Sequence, residues 1–316
     1  MLLCKLVLGA VLLLFAAALF CCAIVFLSPH PGQNDIYNIP KSEQYQKNFS
    51  RMHAGIEALA ALPADAVTIR SRDGLTLCAR YYHSADGAPL ALCFHGYRAT
   101  AIRDFSGGAR YLLALGMNVL LVDERAQGKS GGHVITFGAR ERYDCADWIA
   151  YAAERFGADA PIFLYGVSMG AATVLLASAL PLPAQVRGIV ADSPYSSAAA
   201  IIRTVCRAQH LPSALLCPLI SLGARLFCRF RLEDADAVSA AKESRTPILI
   251  LHGEDDRFVP CAMSETIRAA NPAIIRRFTF PNAGHGLSYI EDTPRYTALV
   301  EEFMQDCLAE KAKEQG

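Results

Sequence analysis

Ser168 stands between two glycines in Gly166-Val167-Ser168-Met169-Gly170, with the short apolar run Ile162–Tyr165 before it and a small-residue helical pattern (Ala171, Ala172, Val174, Leu175) after it. Glycine-x-serine-x-glycine between a strand and a helix predicts a very tight turn with the serine at its apex in strained backbone geometry. A Cβ at either glycine would meet the neighbouring strand or helix. Such a turn lifts the hydroxyl clear of a sheet and points the N-terminus of the next helix at any anion formed beside it. The chemistry this suits is nucleophilic attack by the serine.

A serine hydroxyl is a weak nucleophile near neutral pH and needs a base, most often a histidine held in one tautomer by a carboxylate. In this type of turn the partners follow in the order serine, acid, histidine. Three histidines come after Ser168, namely His210, His252 and His285. His210 falls in a long insertion and His252 precedes the acidic loop. His285, in Asn282-Ala283-Gly284-His285-Gly286, follows the last strand, where a loop reaches the carboxyl edge of a sheet. It is the expected base. The segment His252-Gly253-Glu254-Asp255-Asp256-Arg257-Phe258-Val259-Pro260 offers three carboxylates at the same edge, and Asp192 at the end of the previous strand is a fourth. Residue chemistry alone leaves these open. An oxyanion formed at Ser168 needs backbone N–H donors. Those expected are Met169, directly after the serine, and Tyr97 in His95-Gly96-Tyr97, where Gly96 lets the chain turn inward. His95 reads as a strand-end packing residue.

Positioning these residues takes a sheet. Ala66–Arg72 and Leu75–Tyr82 read as strands around a two-residue turn, Asp73-Gly74. Further strands are expected at Leu90–Phe94, Asn118–Val122, Ile162–Tyr165, Val186–Ala191, Ile248–Leu251 and Ile275–Phe280. Helices are expected at Phe49–Leu62 and over 104–115, 140–156, 169–179, 262–270 and 294–310. Apolar strands alternating with helices imply an α/β fold, a mostly parallel, doubly wound sheet with an antiparallel N-terminal hairpin. About fifty residues between Asp192 and Pro247 exceed what a crossover needs. They hold apolar helical stretches (Ala198–Cys206, Leu215–Phe227) and Arg225, Arg229 and Arg231. The expected role of this insertion, about 196–244, is a small helical lid over the site.

The chain has 316 residues with 30 basic and 30 acidic side chains, so no basic surplus points to nucleic acid. Leu6–Leu27 is 22 residues without a charge, enough to span a bilayer core as a helix. A cleavable signal peptide usually has a shorter apolar core ending in a small-x-small site, and Leu27-Ser28-Pro29-His30-Pro31 is a poor one. The expected layout is a single-pass membrane anchor over 1–27, a linker and leading helix over 28–64, and the main domain over 65–312. Basic residues flank both ends of the anchor, leaving its sidedness open. The eleven cysteines have no framework spacing and read as small apolar fillers in a reduced setting, neither disulfides nor metal ligands.

These residues resemble the α/β-hydrolase family over roughly 65–310. The likeness rests on Phe94-His95-Gly96-Tyr97, the loop Asp123–Gly132, Gly166–Gly170, Asp192-Ser193-Pro194, His252–Pro260 and Gly284-His285-Gly286. The acid loop resembles the H-G-x-x-D-x-x-V-P pattern of the serine aminopeptidase-like and prolyl-oligopeptidase-like branches, which implies Asp256 as the acid. The family's D-x-R-G-x-G-x-S turn is present with Ala126 in place of its first glycine. Overall the pattern is most similar to membrane-anchored bacterial members. The resemblance implies a serine hydrolase with Ser168, Asp256 and His285 as its triad and no metal or organic cofactor. It implies a small-molecule, lipid-like or peptide acyl substrate, ester hydrolysis first, with peptidase, thioesterase and acyltransferase chemistry as alternatives on one fold. A binding protein that kept the fold without its chemistry is the rival of another class. Gly128-Lys129-Ser130 is no phosphate loop, because the anchoring glycine that pattern requires is Asp123.

Overall fold

The computed structural model describes residues 2–28, 35–157 and 159–314, with side chains to residue 309. Among the described residues eight strands form one sheet: β1 (Asp65–Arg70), β2 (Thr76–Tyr82), β3 (Leu90–Phe94), β4 (Asn118–Asp123), β5 (Ile162–Val167), β6 (Val186–Asp192), β7 (Ile248–Gly253) and β8 (Ile275–Phe280). Their order is β1-β2-β4-β3-β5-β6-β7-β8. Pairing is antiparallel from β1 to β2 and from β2 to β4, and parallel from β4 through β8. The helices are α1 (Leu2–Phe26), α2 (Glu43–Gln46), α3 (Phe49–Ala60), α4 (Ala101–Asp104), α5 (Gly108–Ala114), α6 (Glu141–Phe156), α7 (Met169–Ala177), α8 (Ala198–Ala208), α9 (Ser213–Leu226), α10 (Ala237–Glu243), α11 (Ala262–Ala270), α12 (Ser288–Glu291) and α13 (Thr293–Glu314). This is the mostly parallel, two-sided sheet expected from the alternation of strands and helices.

Strand periodicity sorts the core into two layers. Ala91 and Cys93 of β3 face a layer shared with α3, α4, α5 and α13, while Leu90, Leu92 and Phe94 face one shared with α6, α7, α10 and α11. Strand order reverses at β3, whose neighbours are β4 and β5. The carboxyl ends of β3 and β5 therefore flank the crevice where open α/β sheets bind ligands. The opening hairpin differs from the expected two-residue turn. Ser71 N bonds Leu75 O at 2.9 Å, leaving a three-residue loop with Gly74 at φ +86°. The extra residue brings Asp73 within 2.9 Å of the buried Arg125 guanidinium, which also grips Asp144 of α6 at 2.6 Å.

Of the expected linker, residues 29–34 lie outside the described residues. All eleven cysteines are thiols. Buried ones such as Cys93 and Cys145 occupy core positions.

The N-terminal helix is more than a tether. At 25 residues it measures about 37 Å, longer than a bilayer core of about 30 Å. Leucines from Leu2 to Leu14 are exposed, but Ala18, Cys22 and Phe26, one helical turn apart, are buried. They pack on α9, where a Cβ at Gly223 would lie 2.5 Å from the Ala18 carbonyl oxygen. Phe26 sits edge-on to Phe137 and Phe230, at 5.8 and 5.1 Å between ring centres. Backbone bonds from Ser28 to His133 and from Ile135 to Phe26 stitch the helix end to the main domain. The inserted helices α8 and α9 are present as expected. Their buried face turns towards this helix and the back of α7.

Candidate active site

β5 is almost wholly buried and ends at Val167, and α7 begins at Met169. Ser168 between them has φ 56° and ψ −110°, a conformation that only a tightly constrained turn maintains. The constraint is visible at both glycines. A Cβ at Gly166 would lie 2.2 Å from the Gly170 carbonyl oxygen, and one at Gly170 would lie 1.9 Å from that of Phe94. Ser168 N donates to Asp192 O at 2.8 Å, fixing the turn to the end of β6.

The histidine loop after β8 brings His285 Nε2 to 2.9 Å from Ser168 Oγ, and Nδ1 to 2.7 Å from Asp256 Oδ2. Asp256 Oδ1 accepts the Phe258 and Val259 amides at 2.8 and 2.7 Å, so the loop's own backbone aims the carboxylate. The buried His252 places Nε2 3.2 Å from Asp256 Oδ2 and bonds Val259 O at 3.0 Å. Among the four open carboxylates only Asp256 meets the imidazole. Asp255 and Glu254 are exposed. Asp192 accepts instead from Tyr296 and Ser193, at 3.0 and 2.9 Å. His210 lies exposed at the end of α8.

Charge follows this geometry. Burial works against a charged imidazole, but Asp256, with Asp192 and Asp104 behind it, raises the His285 pKa above its ordinary 6.5. Burial likewise pushes the Asp256 carboxyl up, and His285 and His252 outweigh it, holding the group below the usual carboxylate range.

The loop after β3 passes directly over the serine. A Cβ at Gly96 would touch that of Ser168 at 3.4 Å, and Gly96 N is held by Asp104 Oδ2 at 2.8 Å. Among the described residues neither the Tyr97 nor the Met169 amide donates to another group. Arg98 follows at φ 51°, held from two sides. Its amide donates to Gln127 Oε1 at 2.6 Å, and its guanidinium to the Ile24 and Leu27 carbonyls at 2.7 and 2.9 Å. Tyr97 Oη donates to Val25 O at 2.8 Å. The last turn of α1 therefore braces this loop. His95 keeps the structural place expected of it, with Nδ1 2.8 Å from Gly96 O and Nε2 accepting from Glu124 N at 3.1 Å. Ala126, standing where a glycine is usual, is buried at φ 61°.

Ser168 and His285 open onto a cavity of about 430 Å³. None of the described residues of the insertion lines it, so the expected lid does not form its wall. The segment after α1 does, through Asn38, Pro40, Gln44, Tyr45 and Met52. This strap is fastened to the histidine loop. Tyr45 Oη donates to His285 O at 2.8 Å, Lys47 pairs with Glu291 at 2.7 Å, and Asn48 bonds Glu291 at 2.8 Å. Sequence reasoning missed it, because its contacts join residues some 240 positions apart and it carries no periodicity. The aromatic spacing of Tyr37, Tyr45 and Phe49 was the one available signal. Among the described residues no cluster of histidine, cysteine and acidic side chains could hold a metal ion. Lys129 N donates to the Asp123 carboxylate at 2.9 Å and Ser130 Oγ to the Asp123 backbone carbonyl at 2.5 Å, so the loop at Gly128 closes on Asp123.

Residues 88–238 match the family model described as serine aminopeptidase, S33. An uncharacterized protein of Bacillus subtilis is 24% identical over 257 residues, covering 80% of this chain and 83% of its own. One of Mycobacterium tuberculosis is 27% identical over 72% of this chain and 75% of its own. Among solved structures, an esterase of Pyrococcus furiosus superposes with a TM-score of 0.64 at 21% identity, over 79% of this chain and 93% of that one. Est1E of Butyrivibrio proteoclasticus, solved with ferulic acid bound, gives 0.58 at 21% identity, over 77% and 100%. With its sheet order, its glycine-flanked serine turn and these structural neighbours, the chain has the α/β-hydrolase fold, and its central region matches the serine aminopeptidase family model.

Proposed function

We propose that the protein is a serine hydrolase that works by acyl transfer, and that its substrates are carboxylic esters. The observation that carries this is the unbroken chain from Ser168 Oγ through His285 to Asp256, at 2.9 and 2.7 Å, beside two uncommitted backbone amides. In this reading Ser168 Oγ attacks the ester carbonyl as its proton passes to His285 Nε2. Asp256 holds the imidazole by Nδ1–H and stabilises the imidazolium. The tetrahedral oxyanion takes hydrogen bonds from the Tyr97 and Met169 amides. Collapse expels the alcohol, which takes the proton from Nε2. Water, deprotonated by the same nitrogen, then releases the acid and restores the serine. The esterase names of the solved neighbours favour esters over amides.

The anchor belongs to the same reading. The free part of α1 crosses or enters a bilayer, and its last turns dock on the hydrolase domain, which holds the domain close to the membrane. The test of function is a fluorophosphonate probe with activated esters of graded acyl length. Label on Ser168 and ester turnover, both lost in Ser168→Ala, are expected. An unlabelled, inactive but folded protein would instead favour a binding role.

A further inference from the structure

The cavity has a polar floor beyond the reacting residues. Tyr165 of β5, Tyr296 of α13 and Asp192 of β6 all line it, and each is at most 3% exposed. Their hydrogen bonds form one chain. Tyr165 Oη bonds Tyr296 Oη, Tyr296 Oη donates to Asp192 Oδ2 at 3.0 Å, and Ser193 Oγ donates to Asp192 Oδ1 at 2.9 Å. Ser193 Oγ in turn accepts from Gly286 N at 3.2 Å.

The protons in this chain can be counted. A hydroxyl carries one, and an ionised carboxylate carries none. Burial raises the Asp192 pKa, while the Ser193 and Tyr296 hydroxyls and the neighbouring His252 and His285 favour its ionised form, and on that carboxylate Tyr296 and Ser193 spend their protons. In the phenol pair Tyr165 must then be the donor, because Tyr296 has no proton left to give. Burial raises the pKa of both phenols well above 10, so neither adds a negative charge to the floor. Every hydroxyl proton is thus used internally, and what the floor presents to a ligand is lone pairs only. A polar group reaching it must bring its own proton, and an ether or carbonyl oxygen there would face acceptors with no partner. The walls are aromatic, with Phe105 edge-on to Tyr165 at 5.5 Å and Tyr289 edge-on to Tyr296 at 5.5 Å.

From this we infer that the site selects esters carrying a neutral hydrogen-bond donor, a hydroxyl or phenol, on the part of the substrate that fills the cavity, with Tyr165 Oη as the acceptor that reads it. The inference deepens the proposed hydrolase activity and rests on it for turnover, though not for binding.

The test compares para-nitrophenyl esters of arylalkanoic acids in matched pairs, one with a para-hydroxyl and one with a para-methoxy group. A second series places the same pair on the alcohol side. The full chain should favour the hydroxyl compound by about tenfold in kcat/KM in one series. Tyr296→Phe is the discriminating variant. It frees the Tyr165 proton, so Tyr165 becomes a donor and the ratio should swing towards the methoxy ligand. A change that merely loosened the pocket would lower both rates without that swing. Binding of the paired free acids and alcohols to Ser168→Ala, followed by calorimetry, reads the same preference without turnover. If no ester is cleaved yet the hydroxyl ligand binds preferentially, the hydrolase reading fails and the floor's selectivity stands. Ratios within about twofold in every pair, or a ratio that folded Tyr296→Phe leaves unchanged, overturn the inference.

Discussion

At the scale of single residues, Asp256 is the most exposed assignment. Asp256→Asn keeps the shape of the side chain but favours the wrong imidazole tautomer, and turnover is expected to fall by up to about four orders of magnitude. Asp255, exposed and unbonded to the imidazole, contributes only screened electrostatics, so Asp255→Asn should leave turnover within about twofold. Asp192→Asn replaces one of the two oxygens that accept from Tyr296 and Ser193 with an NH2 donor, leaving one hydroxyl facing a donor. It should cost about 1–3 kcal/mol of stability, read by denaturant unfolding. The same carboxylates set the pH dependence. A base works only when unprotonated, and the His285 pKa is raised above 6.5 despite burial. Activity should therefore fall as pH drops through a value above 6.5. Without the Asp256 charge that limb should move to lower pH in Asp256→Asn, and a kcat/KM profile that stayed in place would contradict the pairing.

At the scale of elements, the end of α1 carries more than its apolar composition suggests. Deleting residues up to about 14 removes, among the described residues, only exposed side chains and should leave fold and ester turnover intact. Deleting through 27 also removes Phe26, worth about 1.5–3 kcal/mol of burial, and the carbonyls that receive Arg98. The β3–α4 loop then loses the restraints that α1 supplies at Tyr97 and Arg98. The expected result is lower stability and a lower kcat with little change in KM. Equal kcat in the two truncations would show that the brace does not position the Tyr97 amide. The glycine turn makes the opposite kind of prediction, since nothing there can give. With a Cβ at Gly170 placed 1.9 Å from the Phe94 carbonyl oxygen, Gly170→Ala should leave the chain insoluble or unable to label, whereas Gly74→Ala, in open space, should cost only left-handed backbone strain of about 1 kcal/mol.

At the scale of the whole molecule, what was legible in the sequence is what is local. β3 and β8 begin and end where the alternation of apolar runs places them, and Ser168, His285 and Asp256 meet because each follows a strand at the same sheet edge. What escaped was long-range. Tyr45 reaches His285 across 240 positions, and α9 pairs with α1 through small residues whose contact no periodicity announces. The insertion accordingly backs the N-terminal helix, while the segment read as linker walls the cavity. If α1 enters a bilayer, the full chain should stay with membranes through an alkaline carbonate wash, and a chain lacking residues 2–14 should be released. The central claim, a serine nucleophile driven by His285, is tested most directly by intact-mass measurement after fluorophosphonate treatment. One adduct is expected, mapped to Ser168, abolished in Ser168→Ala and strongly slowed in His285→Ala. An adduct on another residue, or ester turnover that survives in Ser168→Ala, would contradict it.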